Sequence, residues 1–413
     1  MGEVSKQARR ALRHVSWEWS GEVEDPRDKR GQRHAHPGVL GLLVAAFACA
    51  KVGLVEAEEL SEDLGPRTRK KLKVSGRVSD STLWRLLEQQ NAKGFRETLR
   101  EWVKAVLRRC EWEPLLPMGV ASFDGKSLYT STQQAVPGLE AVAYDEQGRP
   151  VWKLGALRAA LTSVAAAPCL DMEFIGAKQG ESPAFRVLWP RVVEHFGEHF
   201  QVMTADAGLC AVENAALVLA SNKHYLLGLK GNQPTLHDWA VVAIASKQGS
   251  ARARTEDRAH GESVVRELWT HALAPGEVDF PGARLLLGVR QTHLKNDGTQ
   301  SLEWRYFVTS LSTVDLAFKH LLKLVRLHWA IENQHHWTLD VVLQEDARQP
   351  CMASASSLEV TAWLRTLAYN LLAVWRALLS LNNRQRVRWK RACEKLRDAL
   401  VDGLNEVSLP TPA

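Results

Sequence analysis

Residues 326–340 read RLHWAIENQHHWTLD, a stretch that sets one carboxylate, Glu332, among imidazole, amide and indole side chains at helical spacing. At about 100° per residue, His328, Glu332 and His335 fall within roughly 60° of arc on one helix face, while His336 and Asp340 drift off its edge. The apolar residues Leu324, Leu327, Ile331 and Leu339 lie nearer the other side and can hold the helix on a core. An acid on a helix anchored in this way is fixed in position. Taken alone, the pattern also fits an amphipathic helix whose polar face meets water.

Two acids upstream change that balance. Asp124, in MGVASFDGKSLYTS, closes a short apolar run at Asp-Gly-Lys, which predicts a strand that stops and turns with the carboxylate at its edge. Asp206 stands likewise at the end of QVMTADAG, before the helix-like run AVENAALVLAS. Each aspartate alone is equally a turn or a helix cap. Two aspartates at strand ends and a glutamate on a helix can converge on a pair of divalent ions. Mg²⁺ and Mn²⁺ prefer oxygen ligands and keep waters, so three carboxylates with open positions suit phosphoryl transfer better than a closed structural site.

In these motifs the chain resembles the DDE transposases of bacterial insertion sequences, in particular the ISAs type that includes the H-repeat-associated proteins. The resemblance rests on FDGK at 123–126, TADA at 204–207, HYLLGLKGNQPTL at 224–236, YFVTSL at 306–311 and RLHWAIENQHHWTLDVVLQEDA at 326–347. An N-terminal segment, DPRDKRGQRH followed by GRVSDSTLWRLL, is similar to the small domain that precedes the catalytic core in these proteins. The resemblance implies an α/β, RNase H-like mixed sheet flanked by helices, with an inserted β subdomain and an N-terminal helical domain. It implies that Asp124, Asp206 and Glu332 are the catalytic residues and bind two Mg²⁺ or Mn²⁺ ions, one activating water or a freed 3′-hydroxyl and the other stabilising the leaving 3′-oxygen. The expected partner is double-stranded DNA, at element ends and target, engaged by a homodimer.

DNA contacts are expected from several residues. Lys126 and Lys230 offer cationic donors for phosphate oxygens, and Asn232 and Gln233 add amides beside the latter. Lys126 also reads as a surface lysine, and Asn232-Gln233-Pro234 as a helix cap. Arg326, His328, Trp329 and Asn333 fit the ISAs subgroup around the glutamate. The wider insertion-sequence signature carries Tyr, Arg and Lys at offsets of minus seven, minus four and plus seven, where this chain has Val325, His328 and Leu339, so a hairpin step resting on that Tyr and Lys is not implied. HGES at 260–263 puts Glu262 where a basic residue is expected, and KQGES at 178–182 matches a Lys-x-Asn-Glu pattern only in part. Glu345 and Asp346 read as solvated or capping acids, and Trp329 and Trp337 as packing residues.

Two other functions compete. His328, Glu332 and His336 at i, i+4 and i+8 could ligate zinc in a hydrolase, but this explains neither aspartate and lacks an HExxH. A domesticated, catalytically weak DNA-binding relative of a transposase would keep the fold and the basic surfaces.

Composition agrees without deciding. A chain of 413 residues, 45% apolar, can bury a substantial core in two or three domains. The 53 basic against 47 acidic residues favour a polyanionic partner only mildly, so the distribution of charge matters more than its total. RTRKKLKVSGR at 67–77 carries six basic residues and no acid, and 384–397 carries seven against the single acid Glu394. Facing phosphates, these would make binding salt-dependent; Arg384, Arg386, Arg388 and Lys390 are the expected contacts of the second run, which otherwise reads as a solvated face. The six cysteines show no Cys-x-x-Cys pair, which argues against a zinc knuckle and fits reduced thiols. The longest apolar run, Val39 to Ala50, is too short for a membrane span, and a cytoplasmic, nucleoid-associated protein is expected.

The periodicities divide the chain into an N-terminal helical domain at 1–115, a catalytic core at 116–249 and 311–375, an inserted β-strand subdomain at 250–310, and a basic C-terminal helix and tail at 376–413.

Overall fold

The computed structural model describes residues 19–110, 112–177, 179–246, 251–259, 262–379 and 387–402. A single ten-stranded sheet organises them. β1 (Val120–Ser131) lies between β3 (Pro150–Leu161), which runs antiparallel to it, and β5 (Val202–Ala205), which runs parallel. β2 (Ala141–Tyr144) and β4 (Cys169–Ile175) pair with β3, and β6 (His224–Leu229) runs parallel to β5. The order β4-β3-β1-β5-β6, three antiparallel strands followed by two parallel ones, is the RNase H-like arrangement.

Four further strands, β7 (Ala253–Ala259), β8 (Glu262–Ala272), β9 (Leu285–Leu294) and β10 (Gln300–Thr309), lie in sequence between Asp206 and Glu332. They do not close on themselves as a second sheet. β10 pairs antiparallel with β6, and β9, β8 and β7 follow in turn, so the inserted strands lengthen the central sheet. Aliphatic residues of these strands meet the helix Phe318–His328 in one apolar cluster, where Leu285, Leu287, Val289 and Phe307 pack with Leu321, Leu324 and Val325.

The other helices build a second layer. Helix Ala355–Ala377 buries 19 of its residues, and a helix that is apolar nearly all round must be covered on every side. It packs against the helix His36–Ala48, which is buried along almost its whole length, and against β1 and β4. The run from Val39 expected as a core helix is this one. The helices Asp80–Gln89 and Phe95–Arg109 also lean on Ala355–Ala377, so the N-terminal helical segment is fused to the core. No helix among the described residues is long and apolar enough to cross a membrane.

Alternation along β1 sends Phe123 and Asp124 to opposite faces. Phe123 joins Phe185 and Trp189 of helix Glu181–Phe196 in an aromatic cluster with ring centroids 5.2 and 5.7 Å away. Asp124 thereby faces the segment that carries Glu332.

Candidate active site

Register brings the two aspartates together. Phe123 pairs with Ala205 across the parallel β1 and β5 strands, so the next residue of each chain, Asp124 and Asp206, emerges at the same level. Below them the Ser122 hydroxyl bonds those of Thr204 at 2.7 Å and Thr162 at 2.6 Å, all fully buried, which ties β1 to both neighbours immediately under the acids. Asp206 ends β5 as expected and accepts the Gly208 N–H at 2.8 Å, capping a short 3₁₀ turn. Asp124 departs from expectation: β1 runs on through Asp-Gly to Ser131, so the carboxylate sits in mid-strand instead of at a turn.

Glu332 comes from the facing helix, whose winding differs from the regular α-helix expected. Past His328 the chain widens into π turns at Ile331–His336 and Thr338–Val342, with the Trp337 N–H reaching back to Glu332 O. The wider turn changes the facing of the side chains. His336 and Asp340, expected at the edge, point towards β1; His335 instead is fully buried against the Tyr369 ring, 4.3 Å between centroids. His336 Nδ1 lies 3.1 Å from Asp124 Oδ2. The anchoring residues hold as expected, with Leu324, Ile331 and Leu339 fully buried.

The cleft between these elements, about 390 Å³, is lined by Asp206, Lys230, Arg305, His328, Trp329 and Glu332 among others. Burial, then the charge of Asp206, pushes the Asp124 carboxyl up to about 7. Burial, then Asp124, raises Glu332. Burial also lowers His328 to about 4 and His336 to about 3, so both rings are neutral at pH 7. His328 is 3% exposed and its Nδ1 has no hydrogen-bond partner among the described residues. Among the described residues no three His, Cys, Asp or Glu side chains stand close enough to grip an ion unaided. That holds alike for Asp124, Asp206 and Glu332 and for the His328, Glu332, His336 zinc trio, whose His336 is turned to Asp124. Asp206 and Glu332 line the cleft and Asp124 lies near enough for its charge to act on Glu332, so the donors are oxygens of the kind hard divalent ions prefer, with open positions left to waters.

Several expected DNA contacts have other occupations. Lys126 is nearly buried, its ammonium paired with Asp340 and 3.6 Å from Glu345, which links β1 to the Glu332 segment. Glu345, expected at the surface, is 1% exposed and takes both Arg158 guanidinium nitrogens at 2.7 and 2.8 Å. Burial alone would raise its carboxyl, but the Arg158 charge and hydrogen bonds hold it down at about 2. Asn232 donates to Cys210 O at 3.4 Å as well as to Ala207 O, and Gln233 donates to Cys210 O at 3.1 Å, so both amides secure the loop after Asp206. Arg326 pairs with Asp257 of β7 at 2.9 Å. Lys230, on the cleft wall, and Asn333 are exposed and open to a ligand. Arg388 and Lys390 are exposed beside Trp389, which is buried against Tyr369; Arg384 and Arg386 lie outside the described residues, as do Lys178, His260 and Gly261. Glu262 is at the start of β8, 3.7 Å from His293.

Sequence reasoning missed Arg305. The side chain stacks its guanidinium 4.3 Å from the Trp329 ring centroid and lines the cleft, close enough to Glu332 for its charge to act on that carboxylate. The alternation in SLEWRYFVTSL marks a strand, but nothing local to it reveals that β10 ends beside the helix of Glu332.

Residues 18–103 match the family described as DDE_Tnp_1-associated, and residues 116–371 match the family described as Transposase DDE domain. The chain is 24% identical over 368 residues to "Putative transposase YncI" of Escherichia coli O157:H7, a match covering 85% of each protein. It is 24% identical over 343 residues to "H repeat-associated putative transposase YhhI" of Escherichia coli K12, covering 78% of this chain and 82% of that protein. Among solved structures, the whole chain aligns with 80% of a piggyBac transposase chain from a cryo-EM synaptic complex with hairpin DNA, at 9% identity and a TM-score of 0.45.

Proposed function

The chain belongs to the DDE-domain transposases, and from that premise we propose that it cleaves DNA at the ends of an insertion sequence and transfers the freed strand, with Asp124, Asp206 and Glu332 holding the divalent ions. The observation that carries the reading is the in-register emergence of Asp124 and Asp206 from β1 and β5, with Asp206 and Glu332 lining one cleft. Two bound Mg²⁺ or Mn²⁺ ions would supply activation of the attacking water or 3′-hydroxyl and stabilisation of the leaving 3′-oxygen. The chain's own residues do the rest. Lys230 offers an ammonium to the scissile strand, while Arg305, stacked on Trp329 and ion-paired with Glu303 at 2.8 Å, shapes the same wall. Ser122, Asn232 and Gln233 keep the two aspartates in register, so that a phosphate is received by a geometry already set.

The test is cleavage of a labelled duplex carrying the element's terminal repeat. Protein stripped with EDTA should be inactive and regain activity with Mg²⁺ or Mn²⁺. Zn²⁺ should not substitute, because an all-carboxylate set suits hard ions that retain waters. Recovery with zinc alone, lost again in His328→Ala, would replace this reading with the zinc hydrolase.

A further inference from the structure

We infer that the N-terminal helices carry a surface for the phosphates of duplex DNA, built from Lys29, Arg30 and Arg33 of one loop and from Lys70 and Lys73 at the end of the helix Pro66–Leu72; the inference rests on the reading of the chain as one that acts on element DNA. The helix buries Thr68 and Leu72, and Lys70 and Lys73, three apart, lie exposed on the opposite side. The loop reaches the same place, because the Ser75 hydroxyl, in the turn that follows Lys73, bonds His34 Nδ1 at 3.2 Å. Arg27 shapes that loop: it donates to both Asp25 carboxylate oxygens at 2.8 Å and to His34 O at 2.9 Å. Asp28 caps its short turn, accepting the Arg30 N–H at 2.8 Å, and Lys29, Arg30 and Arg33 are left exposed.

Cations that serve the fold have partners here. Arg77, in the same basic run, pairs with Glu58 and Glu62, whereas among the described residues no ion pair takes up Lys29, Arg30, Arg33, Lys70 or Lys73. No acid lies between Gly65 and Ser79, and neither segment exposes a large apolar side chain. The face therefore suits a polyanion and offers no apolar centre to a protein partner. It is also fastened to the catalytic core. A Cβ on Gly38, in the helix His36–Ala48, would overlap Leu72 O, and Thr68 donates to Leu400 O at 2.8 Å in the helix Trp389–Val401. The helix His36–Ala48 packs in turn on Ala355–Ala377, so DNA gripped here is gripped at a fixed distance from the cleft.

A structural alternative exists, in which Lys70 and Lys73 only complement the C-terminus of their helix. Binding of the full chain to a labelled duplex, measured against KCl concentration, separates the two. Changing Lys29, Arg30 and Arg33 to Ala should flatten the slope of log K against log salt by about 2 to 3, and Lys70→Ala with Lys73→Ala by about 1 to 2. Both losses should be the same on a terminal-repeat duplex and on a scrambled one, because phosphate contacts carry no sequence information. Lys70→Arg with Lys73→Arg should keep the slope, and Gln in place of Ala serves if either variant folds poorly. An unchanged slope in either variant, with or without a fall in Tm, overturns this inference and leaves the cleavage centre untouched. A wild type that binds neither duplex removes the reading of the chain as acting on DNA, and this inference with it.

Discussion

Asp124 is a carboxyl that the fold makes hard to ionise. Its native pKa, pushed up to about 7, stands above the unfolded value near 3.8, so the unfolded chain releases its proton first as the pH rises. The metal-free protein should therefore lose stability between about pH 4 and 7, by at most about 4 kcal/mol from this group, and hold level above. Urea unfolding of wild type and Asp124→Asn across that range measures it: the variant should lack the decline, and parallel curves would contradict the account. Lys230 and Lys126 provide a second contrast. Lys230→Ala should slow single-turnover cleavage more than it weakens DNA binding, because an ammonium on the cleft wall positions the scissile strand. Equal losses of the two would make it a general phosphate clamp. Lys126→Ala should leave the salt dependence of DNA binding unchanged, since its charge is already taken by Asp340 and Glu345.

The element that matters most is the segment from His328 to Glu345, and it is where the sequence was only half legible. Glu332 and its apolar anchors were readable, because burial periodicity over a turn or two survives a change of winding. The π turns were not, since i→i+5 bonding is chosen by what the segment packs on and leaves no mark on residue type. Asp-Gly at 124–125 read as a turn for a related reason: local propensity favours one, yet pairing with β3 on one side and β5 on the other extends the strand through it, and Gly125 serves to admit Glu181. Glu345, Arg158 and Lys126 are far apart in sequence, so their convergence was beyond reach of any local pattern. This buried ionic group fixes the end of the Glu332 segment to β1 and β3. Removing one partner strands the other charge, so Arg158→Met should destabilise the protein by about 3–5 kcal/mol. Replacing Glu345 by Gln in the same background should recover part of that loss, as denaturant unfolding would show; full additivity would mean that the two do not act as a pair.

Across the whole molecule, one sheet carries both the acids and the inserted strands, so β10 can deliver Arg305 to the cleft without a flexible joint. The fold class was legible through the resemblance carried by the ordered motifs, whereas the continuity of the sheet was not, because strand patterning does not say which edge a strand joins. The modest net charge of +6 makes long-range attraction to DNA depend on where cations are gathered. Changing Arg384, Arg386, Arg388 and Lys390 to Ala should weaken binding without preference for sequence and flatten the slope of log K against log salt by as much as about 3 to 4. An unchanged slope would remove the C-terminal run as a DNA contact.

The central claim is that three carboxylates from three separated parts of the chain act together on a DNA phosphodiester. Single-turnover cleavage of a labelled element end in Mg²⁺, with binding measured on the same duplex, tests it for Asp124→Ala, Asp206→Ala and Glu332→Gln. Each variant should bind the end as wild type does and lose cleavage by at least about 10³-fold, because such groups act in the transition state far more than in docking. Near-normal cleavage by any one of them would take that residue out of the centre and contradict the account.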